Sequence, residues 1–135
     1  MGLIIDTNVF IDIENGRIDT AIFERLLHYG EAYISAVTVA ELLAGVHLAK
    51  SADERIKRSA FVEGVLSNIV ALDFNEDVAR SYAELYSYAI LSKKNVYKNA
   101  HDLQIAATAI NNGYAVLTSN RKDFEIIPGL MVESP

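Results

Sequence analysis

Short continuous apolar runs alternate along this chain with longer segments in which apolar residues recur at helical spacing. Runs bounded by polar residues suit strands buried on both faces, which assigns strands to residues 3–6, 32–35, 69–72, 115–119 and 130–132. Between them, residues 19–29 place Ile22, Phe23, Leu26 and Leu27 on one helical face, with Gly30 as a stop. Ser35 is set to cap a helix over 36–48. Ser51 and Glu54 form a capping-box pair ahead of Ile56, Val62, Val65 and Ile69. Asn75, followed by Glu76 and Asp77, caps a helix that buries Val78, Tyr82, Leu85, Ala89 and Ile90. Residues 102–112 form a short alanine-rich helix closed by Gly113, whose small side chains allow close approach to a sheet.

Strands that alternate with helices imply a largely parallel sheet covered on both faces. In such sheets, sites form beyond the carboxyl ends of the strands. With 135 residues, 51% hydrophobic and 22% charged, the composition fits a single domain spanning 1–135. No apolar stretch approaches a membrane span, and the N-terminus lacks the basic region and cleavage site of a secretory signal. Without cysteine there are neither disulfides nor thiolate metal sites, so a cytoplasmic location is expected.

The formal net charge of -6 argues against a nucleic-acid binder when taken alone, because phosphate contacts need positive charge. Metal ions in an acidic pocket would reverse that sign locally. The cations are also clustered: Lys50, Arg55, Lys57 and Arg58; Lys93, Lys94 and Lys98; Arg121 and Lys122. Each cluster taken singly reads as a solvated face or turn, and the acidity equally suits a basic partner.

Four isolated carboxylates stand in or beside apolar segments: Asp6, Glu41, Asp102 and Asp123. An unpaired buried carboxylate is costly, so such groups need a partner or a cation. Asp6 or Thr7 also fits a helix cap, with Thr7 otherwise placed to bond a carboxylate or a phosphate oxygen. Glu41 is the one charged residue between Ala36 and Leu48, on a helix apolar on most faces. For it, a solvated edge or a lone basic partner weighs evenly against a metal. Asp102 suits the dipole of a helix start, and His101 beside it reads as a partly exposed helix-start residue. His28 and His47 read as ordinary helix residues, not zinc ligands. Asp123 lies in a polar turn from which Phe124 packs back into the core, with Arg121 or Lys122 near any bound backbone.

Taken together, these segments resemble the PIN-domain family. Residues 3–12 (LIIDTNVFID) are similar to its opening motif, 35–45 (SAVTVAELLAG) to its second, 101–109 (HDLQIAATA) to its third and 117–124 (LTSNRKDF) to its fourth. Order and spacing agree over nearly the whole chain, and the small size looks most like the VapC-type toxins of toxin–antitoxin pairs. The resemblance implies a three-layer α/β/α sandwich around a mainly parallel sheet and Mg2+- or Mn2+-dependent endoribonuclease activity. It puts Asp6, Glu41, Asp102 and Asp123 at the acidic catalytic and metal-binding positions, with Asp6 and Asp102 the firmest ligands. Thr7, Asn120 and Arg121 take substrate-contacting positions. Some relatives carry an acidic residue where this chain has Asn120, so Asp123 is assigned either to metal or to holding Asn120 or water. The resemblance further implies an RNA substrate, a homodimer, and a cognate antitoxin that inserts a peptide into the acidic groove. The chemistry expected is in-line attack by metal-activated water.

Two other classes stay open on the residues alone. A phosphatase could form an aspartyl phosphate at Asp6, although Asn8 stands where such enzymes usually carry a second aspartate. A catalytically silent binding module could use the acidic groove only to receive a basic peptide.

Overall fold

The structure is a computed structural model that describes residues 2–26, 30–93 and 100–135. Leu27 and His28, and Lys94 and Lys98 of the second basic cluster, lie outside the described residues. The chain runs from β1 (Leu3–Ile5) into α1 (Thr7–Glu14) and a single turn, α2 (Ile22–Arg25). Next come β2 (Ala32–Ser35), α3 (Ala36–His47), α4 (Ala52–Asn68), β3 (Val70–Leu72) and α5 (Glu76–Leu91). The last third holds α6 (Ala100–Asn112), β4 (Ala115–Leu117), α7 (Arg121–Glu125) and β5 (Val132–Glu133).

The five strands form one sheet in the order β3-β2-β1-β4-β5, and every neighbouring pair is parallel. The expected α/β/α sandwich is therefore what the chain builds. Strand alternation sorts the core into two halves. Leu3, Ile5, Ile34, Ala115 and Leu117 face α1, α2, α3 and α4 through Val9, Phe10, Ile22, Leu42, Val46 and Val62. Ile4 and Val116 face α5, α6 and α7 through Val78, Leu85, Ala89, Ile105, Ala106, Ala109 and Phe124. Ala106, Ala107 and Ala109 are fully buried, so α6 does approach closely on small side chains.

Local signals explain most boundaries. The Ser35 hydroxyl accepts the Thr38 N–H at 3.3 Å, and Asn75 Oδ1 accepts the Val78 N–H at 3.0 Å. Ser51 accepts the Glu54 N–H at 3.1 Å, but the Glu54 carboxylate takes the Lys50 N–H at 3.2 Å where a capping box would return to Ser51. Gly113 stops α6 with φ of +70°, a left-handed turn that a residue with a Cβ enters only at a cost. Gly2 serves a different need: a Cβ there would stand 2.9 Å from the Tyr114 ring. Its bareness lets Tyr114 lie over β1 and stack on Tyr33, with ring centroids 5.3 Å apart.

Three expectations change. Ile90, expected to be buried on α5, is instead half exposed. Within the described part of 19–29, only Ile22–Arg25 is helical. Apolar periodicity alone does not hold a longer helix when few backbone bonds support it. The turn around Asp123 is instead the short helix α7, which Phe124 pins to the core at 0% exposure.

Candidate active site

The chain builds β1, β2 and β3 toward one edge of the sheet, then returns to place β4 on the other side of β1. The carboxyl ends of β1 and β4 therefore flank a topological switch point, where open parallel sheets leave a crevice. Asp6 follows β1 directly, and its backbone N–H extends the ladder to the Leu117 carbonyl at 2.9 Å. Its position is that of an N-cap for α1, yet its carboxylate makes no capping hydrogen bond. Asp6 Oδ2 instead accepts from the Thr118 hydroxyl at 2.8 Å. The capping role that position alone favours is not the one adopted.

Thr118 is fully buried and does two jobs. It donates to Asp6, and its Oγ1 accepts the Asn120 N–H at 2.9 Å. One hydroxyl thus joins the end of β1 to the segment that carries Asn120, Arg121 and Asp123. Sequence reading assigned Thr118 no role. Its signal was a polar residue closing the apolar run of β4.

Glu41 sits in the second turn of α3, about one-third exposed. The apolar look of its helix does not bury it, since Ala40 and Ala44 line a solvent edge. Thr7 Oγ1 lies 2.7 Å from Glu41 Oε1 and 3.0 Å from Thr38 Oγ1. A hydroxyl has one hydrogen to give. Charge directs it to Glu41, and Thr38 donates in turn to Thr7. Of the roles open to Thr7, the structure shows the carboxylate bond. Glu41 Oε2 faces His101 Nδ1 at 3.2 Å, with the imidazole 59% exposed in the first turn of α6.

The four carboxylates share one field. Burial pushes the Asp6 carboxyl up from 3.8 to about 6, with the charges of Glu41 and Asp123 adding to it. The Thr118 hydroxyl and the Thr7 backbone N–H oppose that rise. Asp102, in the first turn of α6, is pushed up to about 7 by burial and then by Asp6, Asp123 and Glu41, with His101 opposing. All four predicted acidic positions thus converge, although Asp123 is itself exposed. Among the described residues, no three carboxylate or imidazole groups already stand close enough to enclose an ion by themselves. A hard divalent cation that keeps much of its water does not need them to.

The remaining predicted positions lie at the rim. Asn120 is exposed and precedes α7, its carbonyl accepting the Asp123 N–H at 3.0 Å. Arg121 is also exposed, but its guanidinium turns along its own helix to pair with Glu125 and reaches Ser134 Oγ at 3.4 Å. Exposed pairs of this kind are weak and readily exchanged. Arg58, counted by its sequence neighbours in a solvated cluster, is instead held by Gly45, Glu54 and Glu14.

Thr118→Val keeps the shape and deletes both hydrogen bonds. The Asn120 N–H then loses its partner, which costs about 1–3 kcal/mol of stability. Asp6 also loses the donor that favours its charged form, so its carboxyl rises further. The variant is expected to show an acidic limb of its pH–activity profile moved to higher pH. A profile that drops in height without moving would mean that Thr118 supports only the fold.

A parallel α/β sandwich with carboxylates massed at its switch point defines an acidic strand-end site. The chain belongs to the PIN-domain family, whose model matches residues 3–130. It is 43% identical to ribonuclease VapC1 of Rickettsia felis, over 98% of this chain and 95% of that protein. Ribonuclease VapC of Rickettsia bellii is 39% identical over the same shares. Among solved structures, VapBC2 from Rickettsia felis bound to a promoter DNA fragment superposes with a TM-score of 0.87. That match has 26% identity and covers 100% of this chain and 99% of the other. No helix among the described residues is long and apolar enough to cross a membrane.

Proposed function

We propose that this chain is a metal-dependent endoribonuclease and the toxin of a toxin–antitoxin pair. The observation that carries the reading is the set of four mutually repelling carboxylates, two of them with raised pKa, at the switch point. Among the described residues His101 is the cation that opposes this field, and a divalent cation would supply further compensation. Their all-oxygen chemistry suits Mg2+ or Mn2+. Asp6 and Asp102 would hold the ion, with Glu41 and Asp123 completing the acidic wall. Such an ion supplies positive charge opposite a phosphodiester and acidifies water beside it.

The chain's own residues set the geometry. Thr118 orients the Asp6 carboxylate, and Thr7 orients that of Glu41. Asn120 and Arg121 at the rim are available to contact a nucleic-acid backbone once Arg121 leaves Glu125. The relatives' names support RNA as substrate. The matched VapBC2 structure supports a protein partner, and an acidic groove suits a basic segment of it. Both roles call for a cytoplasmic location.

The test is incubation of total cellular RNA with partner-free protein, with Mg2+ or Mn2+ and with chelator. Discrete products bearing 5′-phosphate and 3′-hydroxyl ends are expected only with metal. Cyclic phosphate ends would show attack by a ribose hydroxyl and overturn the water mechanism.

A second measurement follows from the raised carboxyls. Folding raises Asp6 to about 6 and Asp102 to about 7, both above 3.8. The fold therefore binds these protons more tightly than the unfolded chain. The stability this gives is fully present below about pH 4 and is lost as pH rises through about 6 and 7. In chelator, these two groups are expected to lower the melting temperature across that window, and millimolar Mg2+ to restore it at the alkaline end. A melting temperature at pH 8 that ignores Mg2+ would count against ion binding.

A further inference from the structure

Glu41 also lines a pocket that His101 does not line. Its walls come from three helices, with Ile11 and Glu14 on α1 and Asn15 just beyond it, Leu42 and Gly45 on α3, and Arg58 and Phe61 on α4. Its volume is about 170 Å³. That matches the size of an engineered cavity of about 150 Å³ that takes benzene, so it suits one six-membered ring. Glu41 lines this pocket and also joins the acidic site through Thr7 and His101, so the two share a side chain.

We infer that this pocket receives an unstacked pyrimidine base from the nucleotide next to the cleaved phosphodiester. The inference rests on the ribonuclease reading and adds to it a determinant of sequence preference. Specific recognition of single-stranded RNA splays bases out and stacks them on aromatic or guanidinium planes. Phe61 supplies the first kind of surface. Arg58 supplies the second in a fixed pose: Nη1 donates to the Gly45 carbonyl at 3.0 Å, Nη2 to Glu54 at 2.9 Å, and Nε lies 3.5 Å from Glu14. The Asn15 amide, exposed at the mouth, offers both a donor and an acceptor. Glu14 and Glu41 on the walls disfavour a phosphate there and tolerate a neutral ring.

The test compares cleavage of short single-stranded oligoribonucleotides by the full-length protein in Mg2+. Each carries a pyrimidine, a purine or an abasic residue beside the cleaved bond. Wild type is expected to cut the pyrimidine substrate at least tenfold faster than the abasic one. Gly45→Leu fills the pocket and is expected to cut the pyrimidine substrate as slowly as wild type cuts the abasic one, with no further loss on the abasic substrate. Gly45→Ala guards against misfolding, because its Cβ would meet only the Arg58 Cδ, at an ordinary 3.7 Å. It is expected to fall between the two. Equal losses on intact and abasic substrates, or no loss at all, would overturn the base pocket. So would a Gly45→Leu protein that weakens only the antitoxin complex, which would assign the pocket to a peptide side chain. Wild type that cuts no RNA under any metal would instead remove the ribonuclease reading itself.

Discussion

Asp6→Asn is expected to abolish RNA cleavage and, in ion-free protein at pH 8, to raise the melting temperature. The two effects share one cause. Asp6 is 2% exposed, and burial with neighbouring negative charge holds its carboxyl near 6. At pH 8 the fold must therefore carry a charge that its surroundings oppose, at an upper bound of about 3 kcal/mol. Asparagine has the same outline and keeps an oxygen to accept from Thr118, so the β1–β4 link survives. What is lost is the charge that would hold a cation, and with it on the order of 10³-fold or more in rate. Thermal melts in chelator at pH 8 and pH 4.5 check the stability half. The variant should melt above wild type at pH 8. The gap should narrow sharply at pH 4.5, where Asp6 of the folded wild type is protonated. Mg2+ should then raise the wild type more than the variant. A variant that melts below wild type at pH 8 would mean that Asp6 is already compensated within the protein, and the case for a cation would fall.

Asp6 stood out because it closes an apolar strand, although its position alone favoured a helix cap. Ser35 and Asn75 were legible because caps act within three residues. What sequence hid was long-range pairing. Thr118 and Asp6 are 112 residues apart, and Thr7 and Glu41 are 34 apart. A hydroxyl inside an apolar run does not announce which element it will meet. For Glu41 the apolar helix left a solvated edge and a metal evenly weighed; alanines are small enough to sit at a solvent edge, and Ala40 and Ala44 do. Arg58 looked solvated because its sequence neighbours are, yet helix periodicity turns it toward α1 and α3. The convergence of four carboxylates follows from the strand order, which the sequence restricts through right-handed crossovers without specifying it.

That dependence on order makes the short helix α7 the weakest link between fold and site. It has five residues, too few to persist alone, and carries Arg121 and Asp123 directly after Asn120. Phe124 is its one buried side chain, fully enclosed in the half-core that holds Ile4, Ile105, Ala106, Ala109 and Val116. Phe124→Ala leaves a cavity among residues already packed on a sheet and is expected to cost about 3–5 kcal/mol. Against a total stability of about 5–15 kcal/mol, that is a large share. Urea unfolding should show the midpoint falling with its slope unchanged. Phe124→Leu, which refills most of the space, separates anchoring from bulk. It should recover most of the stability and, by re-pinning α7, the metal-dependent cleavage as well. If Phe124→Leu regained stability but not cleavage, aromatic shape at this position would matter to the site directly. If Phe124→Ala kept both, α7 would be held by Thr118 and the Asn120 backbone instead, and the fourth carboxylate would owe its place to one buried hydroxyl.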